Sequence, residues 1–108
     1  MIVREVLLTD EAERDIEEIY DYIVRHDSVA SAEHVVRGLE NCWAKLETFA
    51  ERGNYPKEMA EQGRRDCREL HWKPYRIIYR VLPKLVAVYA IVDGRRDMRA
   101  FIQQRFRD

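Results

Sequence analysis

The sequence is short of the residues that build phosphate cradles, metal clips and membrane spans. Four glycines in 108 residues leave no glycine-rich phosphate loop, and neither G-x-S-x-G nor H-E-x-x-H occurs. Cys42 and Cys67 are the two cysteines; they lie far apart and form no C-x-x-C pair. His26, His34 and His71 do not cluster with them, so the expectation is two inert thiols, no metal and no cofactor. The longest apolar run falls within residues 85–92, far below the roughly 20 residues a membrane span needs. No charged-then-apolar leader opens the chain. A cytoplasmic protein with no membrane partner is expected.

What is present is charge in an otherwise ordinary soluble composition, 36% charged and 46% hydrophobic. A chain of this length holds one core, hence one domain over residues 1–108. The net charge of −1 conceals a split. Residues 1–53 carry 6 Lys/Arg against 13 Asp/Glu, a balance of −7, and residues 54–108 carry 13 against 7, a balance of +6. Either the two halves attract each other, or separate faces serve separate partners.

Periodicity orders the elements. "IVREVLL" (2–8) reads as a strand. "TDEAERD" starts a helix, with Asp10 as cap and Glu13 closing a capping box, and Ala12, Ile16, Ile19, Tyr20 and Ile23 carry it to residue 26. Asp27 or Ser28 caps a second helix, whose stripe runs from Ala32 through Leu39 and Trp43 to Phe49 and Ala50, with Gly53 as the left-handed residue at its end. The short connection makes the two helices an antiparallel hairpin. Residues 53–66 read as a surface loop. Segments 67–72, 75–82 and 85–92 then form an antiparallel meander, and Asp97 starts a last helix with Met98, Phe101, Ile102 and Phe106 inward. The class is α+β, ordered β-α-α-β-β-β-α, with a helical hairpin on a small, mainly antiparallel four-stranded sheet.

Arginine is the candidate chemistry. Asp15, Glu17, Glu18 and Asp21 read as a solvated helix face. Arg76 and Arg80 share one strand face roughly 13 Å apart by strand rise. Arg68 is on the neighbouring strand, and Arg95 and Arg96 follow the last one, so the five can form one cationic surface. An arginine fork suits phosphate, since it donates two parallel hydrogen bonds and keeps its charge. The alternative is that Arg76 or Arg80 pairs with Glu69, or with acids of the first helix, to hold the fold.

"PYRIIYRV", the apolar strand after it, "VDGRRD" and the early "DEAERDIEEIYDYI" resemble the RelE/ParE superfamily of bacterial type II toxins over essentially the whole chain. The resemblance implies one of two activities, cleavage of mRNA in the ribosome (RelE-like) or poisoning of DNA gyrase (ParE-like). Arg76 and Arg96 match arginines of the superfamily pattern. The two lysines of RelE-like nucleases fall near Cys67 and Glu69, their C-terminal tyrosine falls near Phe101 or Ile102, and Asp93 stands where many relatives have histidine.

The charge-stabilising half of a nuclease is therefore present without its acid–base half. That favours a ParE-like gyrase poison, a plasmid-stabilisation type of toxin that is not an enzyme. Arg68, Arg76, Arg80, Arg95 and Arg96 would then bind the target. The runner-up is a ribosome-dependent endoribonuclease using Arg76, Arg80, Arg96 and His71, with ribosome and mRNA as partners. A third reading is an inactive toxin-like module acting in operon co-repression. The resemblance further implies a cognate antitoxin whose basic tail fits the acidic first helix, and DNA binding only through that antitoxin.

Overall fold

The computed structural model describes residues 2–107. Strand β1 (Glu5–Leu8) leads into helix α1 (Asp10–His26), which turns back as α2 (Val29–Ala44) and tightens into a 3-10 turn, Lys45–Glu47. A four-residue helix, α3 (Lys57–Ala60), interrupts the loop before β2 (Arg68–Trp72), β3 (Tyr75–Val81) and β4 (Leu85–Asp93), and α4 (Met98–Arg105) closes the order. The β-α-α-β-β-β-α order and the α+β class stand as the sequence predicts, with α3 added.

The caps differ in detail. Thr9, not Asp10, caps α1, its hydroxyl accepting from the Ala12 N–H; Asp10 instead joins the acidic first turn, where it meets the helix dipole. Ser28 caps α2 by accepting from the Ser31 N–H. The second helix stops at Ala44, so the stripe loses its phase and Phe49, expected inside, is 60% exposed. Gly53 is not left-handed; Gly63 is the positive-φ glycine among the described residues. Gly53 is needed for a close approach: an added Cβ would lie 2.5 Å from the Glu69 carbonyl oxygen and 2.6 Å from the Tyr79 hydroxyl.

The sheet runs β1-β4-β3-β2, with β1 parallel to β4 and the other pairs antiparallel. The α1–α2 hairpin covers one face, where Ala12 and Leu39 pack on Ile77, Tyr79, Val86, Val88 and Ile91. On the other face Met59 of α3 and Met98 and Ile102 of α4 pack on Ile78, Ala90 and Val92. A bulge lets β4 serve both cores. Val88 pairs with Tyr79 but Ala90 with Ile78, so Tyr89 has no opposite residue and the alternation changes phase there. Tyr89 accordingly joins the second core, and its ring lies 5.8 Å from that of Phe106.

Candidate functional site

Alternation along β3 sends Arg76 and Arg80 to the α4 face together with Ile78, and there their surroundings diverge. Arg76 is held by two buried carboxylates. Its Nε and Nη2 lie 2.7 Å from Glu69 Oε1, while Nη1 and Nη2 reach Glu58 at 3.1 and 2.7 Å. Glu58 comes from α3 and Glu69 from β2, and both are buried. The second Glu69 oxygen accepts from the Asn54 amide at 3.2 Å and meets His71 Nε2 at 3.1 Å. The hydrogen bonds from Arg76 hold the Glu58 carboxyl below its ordinary pKa, and Glu58 in turn pushes that of the guanidinium up. With its donors committed, Arg76 pins α3 to the sheet and presents no fork to a ligand.

The remaining predicted residues do not assemble into one cationic surface. Arg68 pairs across from Tyr79 and so points to the helical-hairpin side, away from Arg76 and Arg80. There it donates to the Gly53 carbonyl at 2.8 Å and the Tyr55 hydroxyl at 3.1 Å, with its guanidinium 4.5 Å from the Tyr55 ring centre. Arg95 folds back on Asp93, at 2.6 Å from Oδ2, and lowers the pKa of that carboxyl. Arg96 is exposed and lies 5.0 Å over the Phe101 ring. Arg80 is exposed, with no ion pair or side-chain hydrogen bond among the described residues. His71 is half-exposed beside Arg76, oriented by the buried Glu69. The β2–β3 hairpin supplies the signal for that pairing: a tight turn at residues 73–74 sets Trp72 opposite Tyr75, hence His71 opposite Arg76 and Glu69 opposite Ile78.

Asp15 also departs from expectation, because it is buried rather than solvated. Beyond the end of β1, β4 has no strand on its α1 side. Asp15 fills that gap by accepting from the Ile91 N–H at 3.0 Å. Arg105 of α4 binds both Asp15 oxygens, at 2.9 and 3.0 Å, and donates to the Tyr89 carbonyl at 2.9 Å. Nothing in the spacing of residues 15 and 105 announces this tie. Of the grooves beside α1, two are lined by its apolar residues. One of about 330 Å³ runs between α1 and the end of the sheet, with Ile19, Tyr22, Ile23 and Tyr75 inside and Glu18, Arg95 and Arg96 on its rim. The other, of about 540 Å³, runs along α1 past Ile16, Tyr20 and Val36, with Glu17, Glu18 and Asp21 beside them. Among the described residues no group of three or more His, Cys, Asp or Glu is placed to hold a metal ion, and no helix is long and apolar enough to cross a membrane.

This layered arrangement is a fold shared with chains of two solved toxin–antitoxin systems. It is similar to a chain of the chromosomal ParDE toxin–antitoxin system of P. aeruginosa, with a TM-score of 0.71 at 20% identity over 84% of this chain and 96% of that one. It is also similar to a chain of the RelBE2 toxin–antitoxin complex of Mycobacterium tuberculosis, with a TM-score of 0.56 at 19% identity over 86% of this chain and 93% of that one. A comparison with curated proteins finds no match. The family described as the ParE toxin of type II toxin–antitoxin systems (parDE) matches residues 6–98, and the chain belongs to it. It is a type II toxin of the ParE family.

Proposed function

We propose that this toxin acts by binding DNA gyrase and blocking replication, and that a cognate antitoxin neutralises it. The observation that carries the reading is the state of Arg76. The strand arginine that would grip a scissile phosphate is half-buried and tied to the buried Glu58 and Glu69. A toxin that works by contact needs no such grip, and the family membership supports gyrase as the target. Arg80, Arg95 and Arg96 remain at the surface for that contact. The α1 groove past Ile16, Tyr20 and Val36, where Glu17, Glu18 and Asp21 outnumber Arg14, suits the apolar side of an amphipathic antitoxin helix flanked by Lys and Arg.

One observation favours a second reading. His71 stands half-exposed on a buried carboxylate, on the sheet face it shares with Arg80; in a ribosome-dependent nuclease such a histidine would be the general acid. Pulse-labelling of DNA and protein synthesis after induction without the antitoxin separates the two. DNA synthesis is expected to fall first, and Arg95→Ala with Arg96→Ala to relieve the block. An early collapse of protein synthesis, relieved by His71→Ala, would replace gyrase with the ribosome. No effect on either would leave an inactive binding module.

A further inference from the structure

On the far side of the molecule from α4, a cleft of about 310 Å³ opens between the C-terminal end of α2 and the outer edge of β2. Its floor is Leu70 and Trp72, and its charged lining residues are Lys45 and Arg52, with no carboxylate among them. Both cations are exposed, and neither makes an ion pair or side-chain hydrogen bond among the described residues. They converge on one place: both bear on the half-buried Cys42 thiol, opposing the burial that raises its pKa.

A backbone donor faces the same cleft. Glu69 turns its N–H and C=O outward to Asn54, at 2.7 and 3.2 Å. The alternation of an antiparallel ladder therefore turns the His71 N–H outward as well. Among the described residues nothing pairs with the outer edge of β2 beyond the Asn54–Glu69 bridge, so this edge offers a single free residue, too short for an added strand. Two unmatched cations, one of them a planar fork, plus an outward N–H and the Asn41 amide suit a compact multivalent oxyanion. The cationic surface continues past Gly53, where Arg68 and Arg65 flank the Tyr55 ring at 4.5 and 5.9 Å from its centre.

We propose that the α2–β2 cleft is a phosphate-binding site, taking the phosphate group of a nucleotide or of a single nucleic-acid strand through Lys45, Arg52 and the His71 N–H. This site is independent of the gyrase reading and lies on the face opposite Arg80. Interleaved cations and an aromatic ring along the rim are the combination that tracks a single strand.

The test uses the ¹⁵N-labelled full chain, following the His71 amide and the Trp72 indole N–H. Inorganic phosphate, a nucleoside monophosphate and a short single-stranded DNA are titrated at constant ionic strength. All three are expected to shift both signals. Tighter binding of the strand assigns the source as nucleic acid, and equal binding assigns a free phosphate ester. The Lys45→Gln/Arg52→Gln variant, whose own spectrum reports its fold, is expected to lose the shifts. It should also take about 1.4 from the slope of log affinity for the strand against log salt, the share of two phosphate contacts. Unmoved signals, shifts that persist in the variant, or equal shifts with a polyglutamate peptide would overturn the assignment.

Discussion

At Arg76 one guanidinium answers two buried carboxylates, and its removal strands Glu58 and leaves Glu69 to Asn54 and His71 alone. Arg76→Ala is expected to cost about 3–5 kcal/mol, read as a lower urea midpoint. Replacing Arg76, Glu58 and Glu69 together by apolar residues of similar volume should cost far less, because no charge is then left unpaired. The same cluster sets an acid limit. Since the Arg76 hydrogen bonds hold Glu58 below its ordinary value of 4.5, the unfolded chain takes up that proton at a higher pH than the native one does. This contribution is complete above the ordinary value and is lost as pH falls through the lowered one. An acid titration followed by circular dichroism should show the loss in the native sequence, and Arg76→Ala should flatten it. The two thiols offer a simpler check. Burial pushes the pKa of Cys67 up to about 11, so an alkylating reagent at mildly alkaline pH should modify the half-buried Cys42 first; earlier loss of Cys67 would contradict its burial.

Among the elements, α2 sits against β2 with no room to spare. Gly38 lies in mid-helix, where alanine is ordinarily better by about 1 kcal/mol. Here an added Cβ would come within 2.1 Å of the Trp72 ring. Gly38→Ala is therefore expected to destabilise, by about 1–3 kcal/mol, and to shift tryptophan fluorescence; a gain in stability would show that the ring moves aside freely. The elements themselves were legible because their cause is local. Stripes at helical spacing, the change to a period of two after residue 66, and the two short turns of the meander each record a neighbour close in sequence. The N-caps were legible to within a residue, but the end of α2 was not, because Gly53 reads as its stop and the helix ends at Ala44. The site was legible only in part: the pairing of Arg76 with Glu69 is one of the two readings, but its other partners come from afar. Glu58 reaches Arg76 only through α3, a single turn with no apolar stripe of its own to mark it, and Asp15 meets Arg105 from the opposite end of the chain. An arginine-rich pattern reads alike whether its forks are free or committed, and only the packing tells Arg76 from Arg80.

For the whole molecule, the charge split of −7 and +6 between the halves is only partly spent internally. Arg105 joins Asp15 across it, but Glu17, Glu18 and Asp21 remain exposed on α1. A basic antitoxin segment should therefore associate under electrostatic steering. Its on-rate should drop about tenfold or more from low to physiological salt, or on Glu17→Lys with Asp21→Lys. Stopped-flow rates indifferent to both changes would mean a purely apolar encounter. The parallel pairing of β1 with β4, Glu5 beside Leu85, has a consequence in time. The helical hairpin leaves the ribosome before the strands that will cover Ala12 and Leu39 have been made. At ordinary elongation rates the stretch from Ala44 to Leu85 takes on the order of a few seconds. Throughout that interval the nascent toxin lacks the β4 strand that joins β1 to β3 and its hairpin has an open apolar face, so a partner that recognises the hairpin can engage it before the toxin has finished folding.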